Sequence, residues 1–125
     1  MNSYLIVALG SAIGGGLRHA VNVGAARLLG TGWPYGTFTV NVAGSFTIGL
    51  IVGYFALKGD ASQAWRLFLT TGVLGGFTTF SAFSLDAALL YERGRFDSLA
   101  LYLVGSVALS IGALFLALAI VRRFA

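Results

Sequence analysis

Apolar residues run in four membrane-length stretches, Ser3 to Ala26, Tyr35 to Leu57, Ala64 to Tyr91 and Asp97 to Val121, that take up nearly the whole chain. A bilayer-spanning helix needs about 20 mostly apolar residues, so each stretch is long enough to cross. The third is interrupted near its middle by Gly72-Val-Leu-Gly-Gly-Phe-Thr-Thr-Phe-Ser-Ala-Phe-Ser84. Glycines and hydroxyls at that depth leave backbone N–H and C=O groups facing hydrocarbon, an expensive arrangement if they stay unpaired. Irregular backbone survives there only where protein buries it or where it lines an ion or water path. The interruption is therefore read as a site.

The composition closes off other classes. Hydrophobic residues make up 58% of the 125 and charged residues 10%, whereas soluble domains carry roughly 25% charged residues. The expectation is an all-α membrane protein: a single unit over residues 1–125, with four transmembrane helices and a third helix broken near its middle. No soluble catalytic domain fits in what remains. The first stretch lacks a basic leader and a small-residue cleavage site, and is read as a retained helix. Without cysteine, disulfides, thiolate metal sites and thiol nucleophiles are excluded.

The net charge of +4 does not point to nucleic acid, because the cations stand at helix ends and form no single stripe. Membrane-flanking charge against lipid is the better account. With four spans, Lys58, Arg66, Arg122 and Arg123 fall on one side and Arg18, Arg27, Arg93 and Arg95 on the other. That balance gives the positive-inside rule little to act on. Dual topology follows as an expectation, with an inverted copy of the chain as partner. Arg18 counts toward it only if it lies outside the first span.

Along the chain, Gly10 and Gly14 form a small-xxx-small pattern, and Gly49 and Gly53 form another; both let helices approach closely. Gly14-Gly15-Gly16 is no dinucleotide-binding turn, since no strand precedes it. Leu28 to Pro34 reads as a loop, with Pro34 suited to the first turn of the next helix. Lys58 to Ser62 and Glu92 to Arg95 read as short turns. Two polar stripes stand out. Thr37, Asn41 and Ser45 share one helical face, and so do Tyr102, Ser106 and Ser110.

These residues suit hydrogen-bond donation better than proton chemistry. The asparagine amide carries two donors and each hydroxyl one. Phe80 and Phe83 are neighbours on one face, and phenyl edges hold the positive part of the ring quadrupole. Neutral donors with ring edges can coordinate a small, strongly hydrated anion without trapping it, the balance conduction needs. Serines and threonines that merely pack would instead bond the preceding turn or a neighbouring helix. His19 has no paired carboxylate or metal-ligand spacing and reads as interfacial. Asp86 is the only acidic residue in the interior of a span.

The interruption also offers cation ligands. Opening the helix near Gly75–Thr79 frees carbonyls at the negative end of a half-helix, hard oxygens suited to Na⁺. Thr79 and Ser81 are both eligible to cap the second half. If two inverted copies meet here, their carbonyls could surround one shared cation.

Gly72–Ser84, Gly36–Gly49 (GTFTVNVAGSFTIG), Gly15–Arg18 (GGLR) and the Tyr102/Ser106/Ser110 stripe resemble the Fluc (CrcB-type) fluoride channels along the whole chain. The resemblance implies a passive channel exporting F⁻ from the cytoplasm across a bacterial inner membrane and so lowering its toxicity. It further implies an antiparallel homodimer with two pores and a central structural Na⁺. Under it, Asn41, Phe80 and Phe83 would meet fluoride, with Thr37 adding a hydroxyl. Tyr102, Ser106 and Ser110 would form a polar track, and the Gly75 and Thr78 carbonyls would hold the sodium. Arg18 would stand near an aqueous entrance. Ala82, where a hydroxyl is common, and His19, where an aromatic is common, depart from the family pattern.

The alternative is a small dual-topology multidrug or cation exporter, which would want a carboxylate in the first helix; only Asp86 offers a substitute. A non-transporting assembly subunit is the third reading, and an enzyme the least suited class.

Overall fold

The computed structural model describes residues 2–59 and 62–124, which among themselves form helices and turns with no strand. Asp60 and Ala61, part of the turn expected at 58–62, lie outside the described residues. The helices are α1 (Ser3–Leu29), α2 (Tyr35–Lys58), α3 (residues 63–77), α4 (Phe80–Glu92) and α5 (Phe96–Phe124). Together α3 and α4 make up the interrupted third crossing, Gln63–Glu92. All four crossings are long and apolar enough to span a bilayer, and the chain is a multi-pass membrane protein.

The helices overrun the apolar stretches by a few residues because polar and glycine caps lie beyond them. Asn2 starts α1 by accepting the Leu5 N–H at 3.1 Å. Gly30 ends it at φ 85°, with its N–H on the Ala26 carbonyl at 3.0 Å. Gly59 (φ 70°) closes α2 in the same manner on Phe55. Pro34 precedes the first residue of α2, where its lack of an N–H is harmless.

Packing follows the small-residue patterns. Helix α1 lies on α3, and α2 lies on α5. A Cβ at Gly10 would come within 2.8 Å of the Gly72 Cα, and one at Gly14 would collide with the Val73 carbonyl. Across the other pair, a Cβ at Gly49 would come within 2.8 Å of the Leu114 carbonyl. Both sequence patterns are therefore sites of backbone approach.

Two features shape the third crossing. Residues Leu67–Leu74 are wound as a π-helix, a rare form for which the sequence offered no signal. Thr78 (ψ 159°) and Thr79 (φ −154°, ψ 121°) are then extended, which breaks the crossing between Phe77 and Phe80. Among the described residues Val40, Tyr102 and Ala117 are fully enclosed, while large apolar side chains such as Leu28, Phe115 and Phe124 face outward. That inversion suits a chain whose solvent is hydrocarbon.

Candidate functional site

The extended pair Thr78–Thr79 frees backbone groups that side chains from two other helices take up. Asn41 on α2 accepts the Thr79 N–H at 2.8 Å and donates from Nδ2 to the Thr79 carbonyl at 3.1 Å. Its amide thus takes the place of a paired peptide at this residue. Arg18 on α1 donates from Nε to the Gly76 carbonyl at 3.0 Å, setting a positive charge at the negative end of α3. Thr78 bonds back to the Leu74 carbonyl through its N–H (3.0 Å) and its hydroxyl (2.9 Å). Thr79 caps α4 by accepting the Ala82 N–H at 3.1 Å, and the Thr79 and Ser81 hydroxyls share a hydrogen bond at 3.3 Å. The Gly75 and Thr78 carbonyls are engaged by none of these bonds.

Beside the interruption lies a cavity of about 430 Å³ between α2, α3, α4 and α5. Asn41 and Ser45 line it from α2, Phe80 and Phe83 from α4, and Ser106 and Ser110 from α5. Gly75, Thr78 and Thr79 complete the wall at the break. Two members of each polar stripe and the phenylalanine pair, read separately from the sequence, therefore meet in one space. The Phe80 and Phe83 rings lie 5.7 Å apart, with Phe80 77% exposed on the single chain.

Six of the hydroxyls divide into two groups. Those of Thr47, Thr70, Thr78 and Ser84 donate to the carbonyl four residues earlier, at 2.6–3.0 Å, the usual refuge of a hydroxyl in a membrane helix. Among the described residues, Ser106 Oγ and Ser110 Oγ are buried and have no hydrogen-bond partner. An unmade bond of this kind costs about 1–3 kcal/mol. The two serines stand on successive turns of one helix, at the wall of one cavity.

Thr37 and Tyr102 are not among the residues lining this cavity. Thr37 is 7% exposed and Tyr102 fully enclosed. The Tyr102 hydroxyl donates to Asp86 Oδ2 at 3.1 Å, and its ring stands 5.0 Å from Phe83. Asp86, the carboxylate that a cation exporter would need, is thereby engaged by Tyr102. Arg18 sits at the interruption, inside α1, and so does not flank the membrane. The opposing charges are then Lys58, Arg66, Arg122 and Arg123 against Arg27, Arg93 and Arg95.

Sequence reasoning passed over Trp33. Its ring stands 5.3 Å from Tyr102 and 5.1 Å from Phe38, and its Nε1–H donates to the Ser98 carbonyl at 3.3 Å. The only linear signal was an aromatic directly before the proline that opens α2.

An interrupted membrane helix braced by an asparagine and an arginine, beside a cavity lined with uncharged donors, defines a membrane protein of the ion-pathway class. A profile of the CrcB-like protein family, described as Camphor Resistance (CrcB), matches residues 5–118. The chain belongs to that family. It is 58% identical over 121 residues to the fluoride-specific ion channel FluC 2 of Nitrobacter hamburgensis, covering 97% of this chain and 98% of that one. It is 60% identical over 120 residues to the fluoride-specific ion channel FluC of Rhodopseudomonas palustris, covering 96% and 97%. A FluC of Granulibacter bethesdensis is also 60% identical, over 122 residues, 98% of this chain and 96% of that one. These relatives are named as ion channels and not as enzymes.

Proposed function

We propose that this chain forms a fluoride-selective channel through which F⁻ leaves the cytoplasm passively across a bacterial inner membrane. The unpartnered Ser106 and Ser110 hydroxyls carry the reading. A small, strongly hydrated anion is the species whose water shell such donors can replace. Neutral donors do so without the fixed charge that would hold the ion in place. Phe80 and Phe83 add ring edges, and Asn41 keeps one amide hydrogen beyond the bond it donates to Thr79. The 58–60% identity to proteins named fluoride-specific ion channels supports the choice of ion.

The functional unit we propose is an antiparallel homodimer with two pores. Near-balanced flanking charge supports insertion both ways up, and the 77% exposure of Phe80 leaves one wall of the cavity open to a second copy. A structural Na⁺ between the copies would be held by the Gly75 and Thr78 carbonyls. Their chemistry fits, since both are hard oxygens and neither is engaged by the bonds that brace the break. One chain alone supplies too few such ligands, so the sodium depends on the dimer. Membrane lipid is the surrounding partner.

Halide efflux from liposomes tests the reading. Purified protein should release F⁻ and hardly any Cl⁻. Comparable Cl⁻ release would overturn the selectivity.

A further inference from the structure

We infer that Trp33 is a positioning residue for ion passage, holding the Tyr102 ring at the end of the donor row nearest the membrane surface. The inference rests on the fluoride-channel reading and concerns a residue outside its donor set. Tyr102 lies roughly 9 Å along α5 from Phe96, and Ser110 roughly 12 Å deeper, at 1.5 Å per residue. The row therefore runs from the cavity toward the start of α5, and Tyr102 is its outermost member. Beyond it stands the loop between α1 and α2, carrying Trp33.

That loop is tied to the start of α5 at two points. Trp33 Nε1–H donates to the Ser98 carbonyl at 3.3 Å, and Arg95 Nη1 donates to the Gly32 carbonyl at 3.3 Å. So anchored, the indole meets the Tyr102 ring edge-on, at 5.3 Å and 83°, a favoured geometry for aromatic pairs. Phe83 packs the same ring at 5.0 Å. Tyr102 is thus packed by a cavity-lining phenylalanine and by a surface-loop tryptophan, and its exposure is zero. Its hydroxyl donates to Asp86 Oδ2 at 3.1 Å. Removing the indole opens space on the loop side, and the ring can then turn its hydroxyl away from Asp86.

The test is fluoride efflux from liposomes holding the full-length channel with Trp33→Ala, Trp33→Phe or Tyr102→Phe, and with Trp33→Ala and Tyr102→Phe combined. Trp33→Ala should slow efflux roughly tenfold, and Trp33→Phe, which keeps a ring edge, should recover most of it. In the Tyr102→Phe background, with no hydroxyl left to place, adding Trp33→Ala should change the rate less than about twofold. A merely structural role predicts the same further loss in both backgrounds, and that result overturns the inference. Should Trp33→Ala not purify as a monodisperse species, Trp33→Leu takes its place in both backgrounds under the same criteria. Unchanged efflux from Trp33→Ala beside an active wild type removes the role of Trp33 alone. Absence of fluoride efflux from the wild type removes the fluoride reading and this role with it.

Discussion

Asn41 and Thr79 exchange two hydrogen bonds, at 2.8 and 3.1 Å, across the gap between α2 and the interrupted third crossing. A side-chain amide is suited to this task, because it presents a donor and an acceptor with the spacing of a peptide group. One residue therefore braces the extended backbone and still offers a second amide hydrogen at the cavity wall.

Asn41→Asp should damage both roles. The carboxylate can still accept the Thr79 N–H, but it opposes the Thr79 carbonyl and places an anion at the cavity. Losing the bond and leaving that carbonyl unpaired costs about 1–3 kcal/mol. Thermal unfolding in detergent should shift downward. Fluoride efflux should fall at least roughly tenfold, the effect of about 1.4 kcal/mol on a barrier. Wild-type efflux from this variant would remove Asn41 from the pathway.

Ser106→Ala and Ser110→Ala separate stability from function. Each removes a hydroxyl that is buried without a partner, so stability should hold or rise by about 1 kcal/mol. Fluoride efflux should nevertheless fall roughly tenfold, as one donor to the ion is lost. Loss of stability with unchanged efflux would assign these serines to packing.

Gly14→Ala should destabilise the protein by about 1–3 kcal/mol, because the added methyl collides with the Val73 carbonyl of α3. Gly24→Ala, on the same helix, meets nothing within 4 Å in the single chain, and its effect should stay within about 0.5 kcal/mol. Thermal unfolding of the two variants gives the comparison. A large loss from Gly24→Ala would locate a second copy against that face.

Asp86→Asn distinguishes a channel from a cation exporter. The Asn oxygen can still accept the Tyr102 hydroxyl, so the local bond survives. Fluoride efflux should remain within about threefold of wild type, under 1 kcal/mol on the barrier. Proton-driven efflux of a lipophilic cation, present in the wild type and abolished by this change, would favour the exporter.

Much of this protein is legible in linear order because membrane burial is a local property. Runs of about 20 apolar residues mark the crossings whatever their neighbours are. Gly10/Gly14 and Gly49/Gly53 announce close approach for the same reason: a missing Cβ is visible in the residue type. The interruption also showed itself, since glycines and threonines clustered at mid-membrane depth weaken a helix through their residue types alone.

The partners were not legible, because they depend on which helices meet. Nothing in the order of residues paired Asn41 with the Thr79 backbone, placed Arg18 on the Gly76 carbonyl, or set Trp33 against Tyr102, contacts that join residues 38, 58 and 69 positions apart. The π winding of Leu67–Leu74 was equally hidden, for its residue types also suit an ordinary helix. Likewise, six hydroxyls of one chemical kind fell into two groups only after packing: four turned back on their own helix, and Ser106 and Ser110 were left facing the cavity. A hydroxyl's residue type gives its capacity to donate; whether that capacity is used up depends on the three-dimensional neighbourhood into which its helix is packed.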